Sequence, residues 1–93
     1  MRRIIDRIRD KIRSGEYALT YHALDEMADD GFEEEDFEEA VASGRIVRRQ
    51  KDGLGRRKYT IEGNARGDRR LRAVCRFAAT SGKLIVITVY DAS

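Results

Sequence analysis

The single histidine of this 93-residue chain lies where a helix is predicted to begin. His22 follows Thr20, a residue type that often caps helix starts. The positive end of the helix dipole favours the neutral imidazole, which leaves one ring nitrogen able to accept a proton. His22 is therefore a candidate general base. The alternative is a structural histidine that forms a hydrogen bond near the start of the helix.

A second group of candidate residues is basic and lies in the C-terminal half of the chain. Guanidinium groups bind phosphate through paired hydrogen bonds. Tyr59 and Tyr90 are interleaved among these residues, as aromatic platforms for unpaired bases would be. The alternative is a solvated sheet face partly paired with acidic helices, because tyrosine is also an ordinary strand residue. The candidate phosphate-binding residues are Arg56, Arg57, Lys58, Arg66, Arg69, Arg70, Arg72 and Arg76.

Other kinds of site have no support in the sequence. With one histidine and no carboxylates at ligand spacing to it, we expect no metal site and no cofactor. No glycine-rich phosphate loop follows a strand, and no nucleophile has an orienting pair. Cys75 is the only cysteine and lies in an alternating apolar segment, which predicts a small buried core residue.

The charges are segregated along the chain, although the net charge is only +2. Residues 45–76 contain twelve Lys or Arg and three acidic residues, whereas residues 14–39 contain eleven acidic residues and no Lys or Arg. A basic surface attracts polyanions, and an acidic one repels them or binds a basic partner. The N-terminal residues alternate Ile with Arg and lack the apolar stretch of a signal peptide or membrane span, so we expect a cytoplasmic protein.

The hydrophobic pattern predicts one α+β domain over residues 1–93, with N-terminal helices packed on a four-stranded, mainly antiparallel sheet. Three helices are predicted, over Arg3 to Arg13, from Tyr21 to before Gly31, and over Glu33 to Ser43. The apolar stripe of the second helix is predicted to be Tyr21, Leu24, Met27 and Ala28, and that of the third Phe37, Ala40 and Val41. The predicted strands are Arg45 to Lys51, Arg57 to Glu62, Leu71 to Ala78 and Lys83 to Tyr90.

The last two predicted strands decide which candidate residues share a face of the sheet. A two-residue hairpin turn at Ser81-Gly82 would place Arg76 opposite Ile87 and Ala73 opposite Tyr90. Arg72 and Arg76 would then share one face, and Tyr90 would lie on the other. A site that needs both arginines and Tyr90 would have to be assembled around an edge or end of the sheet.

Several short motifs stand out in the chain after the first predicted helix. They are a Thr-x-His-Ala helix start at Thr20-Tyr21-His22-Ala23, a Gly-hydrophobic-x-x-x-Asp signal from Gly31-Phe32 to Asp36, and a closing Ile-Thr-x-Tyr strand at Ile87-Thr88-Val89-Tyr90. Together they resemble the hallmarks of a known family, the small bacterial and archaeal proteins catalogued as domain of unknown function 4258. The resemblance covers nearly everything after the first helix.

That family is similar to the wider RelE/BrnT-type group, which includes toxins of toxin–antitoxin pairs and messenger-RNA endonucleases. The resemblance implies a metal-free reaction in which the 2′-hydroxyl of the RNA attacks the adjacent phosphate. It implies His22 as the base, Arg72 and Arg76 as phosphate ligands, and Tyr90 or Lys58 as the acid. It also implies RNA or the ribosome as a partner, and a small antitoxin protein, for which a zinc-finger-bearing partner is a reasonable form.

Three hypotheses follow from these observations. The leading one is a toxin-like RNA-binding protein, a metal-free endoribonuclease of a type II toxin–antitoxin pair. The second is a non-catalytic interaction module of the same fold, whose acidic helices and basic sheet dock complementary partners or a second copy of the chain. Family members commonly continue the histidine helix as His-Ala-Arg-x-Arg-Met, where this chain has Leu24 and Glu26 in place of the two arginines. The third is a small-molecule enzyme, which lacks any cofactor or nucleophile signal.

Overall fold

The computed structural model describes residues 2–93 and places helices mainly on one face of a mixed five-stranded sheet. The strand order is β1-β5-β4-β3-β2, with β1 parallel to β5 and the other neighbours antiparallel. The elements in chain order are α1 (Ile4–Ser14), β1 (Tyr17–Leu19), α2 (Tyr21–Asp30), α3 (Glu34–Ser43), β2 (Arg45–Lys51), β3 (Arg57–Asn64), β4 (Arg70–Phe77) and β5 (Leu84–Asp91).

The predicted α+β class is confirmed, but the prediction of four strands is wrong. The strand that was not predicted is β1, which has three residues and pairs with β5 from Leu84 to Val86. A strand of this length shows no alternation that could be recognised in the sequence. Its parallel pairing makes the sheet mixed. Met1 of the predicted 1–93 domain lies outside the described residues.

The predicted helices exist, with ends that differ by one residue or less. Gly15 ends α1 with a left-handed backbone (φ 75°), and Thr20 caps α2 by accepting a hydrogen bond from the Ala23 N–H. Glu33 and Asp36 form a capping box at the start of α3. Among residues 2–93, no helix has both the length and the apolar character needed to cross a membrane.

The apolar stripe predicted for α2 is largely wrong. The buried residues of this helix are Ala23 and Met27, whereas Tyr21 is 88% exposed and Leu24 45% exposed. The reason is that β1 covers only the first three residues of β5, and α2 runs beside the edge of β5 that is left free. The side of α2 that faces this strand edge must therefore be partly polar. Glu26 and Asp30 use that side to accept hydrogen bonds from backbone N–H groups of β5.

The core lies between the sheet and the helices. On the sheet side it contains Ile61, Leu71, Ala73, Cys75, Leu84, Val86 and Val89, and on the helix side Ile8, Ala23, Met27, Phe37, Ala40 and Val41. The predictions for α3 and Cys75 are confirmed. Helix α3 packs so closely on β3 that a Cβ at Gly63 would lie 1.9 Å from the Ala40 carbonyl oxygen.

The pairing of β4 with β5 corrects the predicted register. The connection is longer than two residues, because the Ala78 N–H bonds to the Lys83 carbonyl and Phe77 pairs with Leu84. A bulge then follows, since Cys75 pairs with Val86 but Val74 pairs with Thr88. Arg72 therefore lies directly opposite Tyr90. The prediction that Tyr90 and the two arginines occupy opposite faces is wrong.

Candidate nucleic-acid interface

The face of the sheet away from the core, called the open face here, is predominantly basic. Alternation along each strand assigns residues to it. Its middle is formed by Thr60, Val74 and Thr88, which pair across β3, β4 and β5. Its charged residues are Arg45, Arg48, Lys58, Arg70, Arg72 and Arg76, with Glu62 as the acidic member within the strands.

One row across the open face brings together two predicted catalytic residues. The register aligns Arg45, Glu62, Arg72 and Tyr90 on four successive strands. The Nε atoms of Arg70 and Arg72 lie 3.4 and 3.7 Å from Glu62 Oε1. Arg72 Nε is buried and has no hydrogen-bond partner. The Arg72 side chain as a whole is 41% exposed, so its two outer guanidinium nitrogens remain available to an anion.

The next row ends at the predicted general base. Thr88 lies on the open face and donates a hydrogen bond to Glu26 Oε1, which also accepts one from the Val89 N–H at 3.2 Å. The same oxygen lies 3.2 Å from His22 Nε2. We call His22, Glu26 and Thr88 the His22 cluster. A carboxylate fixed by two donors can orient the imidazole, whose side chain is 68% exposed at the edge of the open face.

Arg76 and Lys58 lie on the open face at the end of the sheet that carries the β2–β3 and β4–β5 turns. Arg76 pairs with Ile85 and Lys58 with Gln50, and both side chains are half-buried. Within residues 2–93, neither one forms an ion pair with a carboxylate. These two predicted residues therefore present uncompensated positive charge.

Other predicted RNA-binding residues lie away from the open face. Tyr59 is buried on the core side, packs edge-on against Phe77, and is not an exposed base platform. Arg56 closes the β2–β3 turn by pairing with Asp52 at 2.6 Å. Arg57 is exposed at the start of β3. It occupies one of the alternate positions of that strand that face the core side of the sheet, away from the open face.

Arg69 has a structural environment. Its guanidinium donates to the Asp30 carbonyl at 2.6 Å and to Asp91 Oδ2 at 2.7 Å, and lies over the Phe32 ring. The hydrogen bond from Arg69 lowers the pKa of Asp91 to about 2. Arg69 therefore joins the end of α2 to the end of β5 and is not free on the open face.

Arg66 is likewise used within the fold. It donates to the buried carboxylate of Asp36 at 2.8 Å and lies 3.3 Å from Glu33. The hydrogen bond from Arg66 is the main reason that the pKa of Asp36 lies below its usual value. This interaction fixes the 3-10 turn (Arg66–Asp68) to the start of α3.

Sequence reasoning did not identify Glu26 and Thr88 as site residues. The spacing of four residues between His22 and Glu26 is visible in the sequence and places both on one side of a helix. Thr88 lies far along the chain, and only the tertiary structure brings it to Glu26. Within residues 2–93, no three His, Cys, Asp or Glu side chains are grouped as metal ligands would be.

Comparison with known proteins agrees with the motifs. The family model described as "Domain of unknown function (DUF4258)" matches residues 19–91. The chain belongs to this family. The DUF4258 match contains the His22 cluster, Arg72 and Tyr90, whereas α1 lies before it. No curated protein and no solved structure matches the chain.

Proposed function

We propose that this DUF4258 protein is a toxin-like RNA-binding protein of the RelE/BrnT type that cleaves RNA without a metal ion. The observation that carries the proposal is that Arg72 and Tyr90 are paired on a basic sheet face whose edge holds the His22 cluster. A base, an acid and cations are the groups that internal attack by a 2′-hydroxyl requires.

His22 is the proposed general base. When Nε2 carries its proton toward Glu26, Nδ1 has the lone pair that can accept the proton of the RNA 2′-hydroxyl. The resulting oxygen attacks the adjacent phosphorus, and the imidazolium that forms is stabilised by the nearby carboxylate of Glu26. Glu26 is a positioning residue in this scheme, because it acts through His22.

The arginines and Tyr90 act on the phosphate and the leaving group. Arg72 and Arg76 stabilise the negative charge of the phosphorane, and Tyr90 protonates the departing 5′-oxygen, with Lys58 as the other candidate acid. The products are a 2′,3′-cyclic phosphate and a 5′-hydroxyl end. After each turnover the His22 imidazolium releases its proton to solvent, and Tyr90 regains a proton from solvent.

The decisive experiment is cleavage of a single-stranded RNA by purified protein in the presence of a metal chelator. We expect 2′,3′-cyclic phosphate ends, and a fall of about 100-fold or more in rate for His22→Ala, the usual size of a general-base contribution. Arg72→Ala and Tyr90→Phe should also be impaired. Arg13→Ala removes an exposed arginine on α1 and serves as the matched control.

The outcomes separate the hypotheses. Cleavage that needs added metal, or that survives His22→Ala in a folded protein, contradicts the proposed chemistry. RNA binding without cleavage favours the non-catalytic module. Binding by phosphate contacts should weaken steeply with salt, and each lost contact on a single strand should reduce the log–log slope by about 0.7. Arg76→Ala should show this reduction and Arg13→Ala should not.

The proposal includes a small antitoxin as the protein partner, with a zinc-finger-bearing form as the specific expectation. Induction of the chain alone in a bacterial host should stop growth, and His22→Ala should restore it. Normal growth with folded wild-type protein at high level contradicts the toxin proposal.

A further inference from the structure

A groove between α1 and β2 is lined entirely by basic and apolar residues. It has a volume of about 790 Å³. Its lining contains six arginines, no acidic residue, and a floor of aliphatic side chains that pack on the edge of the core. The arginines are Arg2, Arg3, Arg7, Arg9, Arg45 and Arg49, and the aliphatic residues are Ile4, Ile5 and Ile46.

Part of this positive charge is compensated within the chain. Arg2 pairs with Asp10, and Arg3 and Arg9 pair with Asp6. Arg7 on α1 and Arg45 and Arg49 on β2 are exposed and, within residues 2–93, form no ion pair with a carboxylate. Arg45 lies at the border between this groove and the open face. The groove therefore combines three guanidinium groups that no carboxylate of the described residues pairs with and an aliphatic floor. This combination fits a segment that is both acidic and apolar better than it fits RNA, whose exposed apolar surface is the flat faces of its bases.

The exposed side of α2 has the complementary composition. Tyr21, Leu24 and Ala28 are exposed at i, i+3 and i+7, so they lie along one stripe of the helix. Asp25 and Asp29 are also exposed and form the adjoining stripe. We call these five residues the α2 stripe. Apolar side chains beside carboxylates match isoleucines beside arginines.

We propose that the α1–β2 groove binds the α2 stripe of a second copy of this chain. The two surfaces cannot meet within one molecule, because α2 lies beside β5 and the groove lies at the opposite edge strand, β2. The contact is head-to-tail. In a pair of copies, one copy keeps an unused groove and the other an unused stripe, so further copies can add and chains or rings form. A ten-residue helix offers less than the ~800 Å² per partner of standard interfaces, so association is weak and salt-sensitive.

The test is sedimentation velocity on protein freed of nucleic acid, over a range of concentrations at low salt. We expect the average mass of the wild type to rise with concentration past that of a dimer. It should fall back as salt shortens the Debye length from about 30 Å at 0.01 M to about 3 Å at 1 M. A wild type that stays monomeric, or whose mass stops at a symmetric dimer, overturns the proposal.

Complementary variants give the sharper result. Arg45→Glu with Arg49→Glu disables the groove, and Leu24→Ser with Asp25→Asn disables the stripe. Each variant should be monomeric alone, and an equimolar mixture should form a one-to-one dimer and nothing larger, because one intact groove meets one intact stripe. A mixture that remains monomeric, or a single variant that still associates, contradicts the assigned surfaces.

Matched controls use residues outside both surfaces. Arg13→Glu reverses an exposed charge on α1, and Leu54→Ser removes an apolar side chain that is 79% exposed in the β2–β3 turn. Both should associate like the wild type. Circular dichroism verifies folding, and Arg49→Glu alone replaces the double groove variant if that variant does not fold. Association that disappears after removal of RNA shows bridging by RNA and overturns the proposal.

Discussion

At the scale of single residues, the carboxylate of Glu26 connects the fold to the candidate chemistry. Its Oε1 accepts hydrogen bonds from Thr88 and the Val89 N–H and lies 3.2 Å from His22 Nε2. The same atom thus protects a free strand edge and is placed to orient the proposed base. The negative charge at this position therefore has a use within the proposed mechanism.

Glu26→Gln tests this role without removing the side chain. The amide oxygen can still accept from Thr88, so the fold should be retained, but the negative charge beside His22 is lost. We expect RNA cleavage to fall by less than for His22→Ala, about 10-fold, with unchanged RNA binding. Rates and binding of Glu26→Gln and of Asp25→Asn, on the exposed side of the helix, provide the comparison. Equal loss in both variants contradicts a role specific to Glu26.

Cys75 gives a second prediction at this scale. Its side chain is 1% exposed, and burial raises the pKa of the thiol to about 12. Because the thiolate is the reactive form, a disulfide reagent near pH 8 should modify native protein very slowly and urea-unfolded protein rapidly. Release of the coloured thiol product measures both rates. Rapid modification under native conditions would mean that β4 opens readily.

At the scale of elements, the sheet is positioned by two close contacts with helices. Helix α3 lies against β3 where glycine leaves room, and α2 lies along the β5 edge beyond the short strand β1. The Thr20 hydroxyl donates to the Ile87 carbonyl, and Asp30 accepts from the Asp91 N–H. Backbone groups that β1 leaves unpaired on β5 are therefore satisfied by α2.

Gly63→Ala should be strongly destabilising. The new Cβ would lie 1.9 Å from the Ala40 carbonyl oxygen, so α3 would have to move away from β3. We expect a loss of about 3 kcal/mol in the free energy of unfolding, at the upper end of the cost of overpacking. Urea unfolding measures it. Gly53→Ala, where a Cβ meets nothing within 4 Å, is the control and should change stability by less than about 0.5 kcal/mol.

At the scale of the whole molecule, the segregated charges of the sequence become two surfaces. The basic residues of strands β2 to β4 line the open face and the α1–β2 groove, and the acidic residues lie mainly on α2 and α3. A polyanion should therefore approach the open face and be repelled from the helices. Not every charge is free, because Arg66 and Arg69 join the acidic helices to the sheet.

Acid should destabilise the protein through these internal pairs. The hydrogen bond from Arg69 lowers the pKa of Asp91 to about 2, and Arg66 lowers the pKa of Asp36. Carboxylates with lowered pKa values stabilise the fold above their unfolded pKa, about 3.9, and lose this contribution as the pH falls toward the folded pKa. We expect Tm to drop steeply below about pH 4.

Asp91→Asn checks the source of that pH dependence. It should lower Tm at neutral pH and flatten the decline of Tm between pH 4 and the folded pKa of about 2. Asp29→Asn, an exposed carboxylate on α2, is the matched control and should leave the profile unchanged. Identical profiles for wild type and Asp91→Asn would show that the Arg69 pair contributes nothing to acid stability.

The sequence by itself determined the elements and the chemistry available to them. Local patterns were sufficient for three helices, four of the five strands, the Thr20 cap and the family, because spacing, capping and turn residues act over a few neighbours. The positions of His22 at a helix start and of Cys75 in the core also followed from such patterns.

Only the tertiary structure decided which residues share a surface. A bulge in β5 places Tyr90 on the same face of the sheet as Arg72. Tyr59 is buried in the core, and Asp91 forms an ion pair with Arg69. The exposed stripe of α2 and the contact of Glu26 with Thr88 arose because that helix lies along a strand edge. Register and edge contacts depend on pairing between distant segments, and a shift of one residue reverses the face of every side chain beyond it.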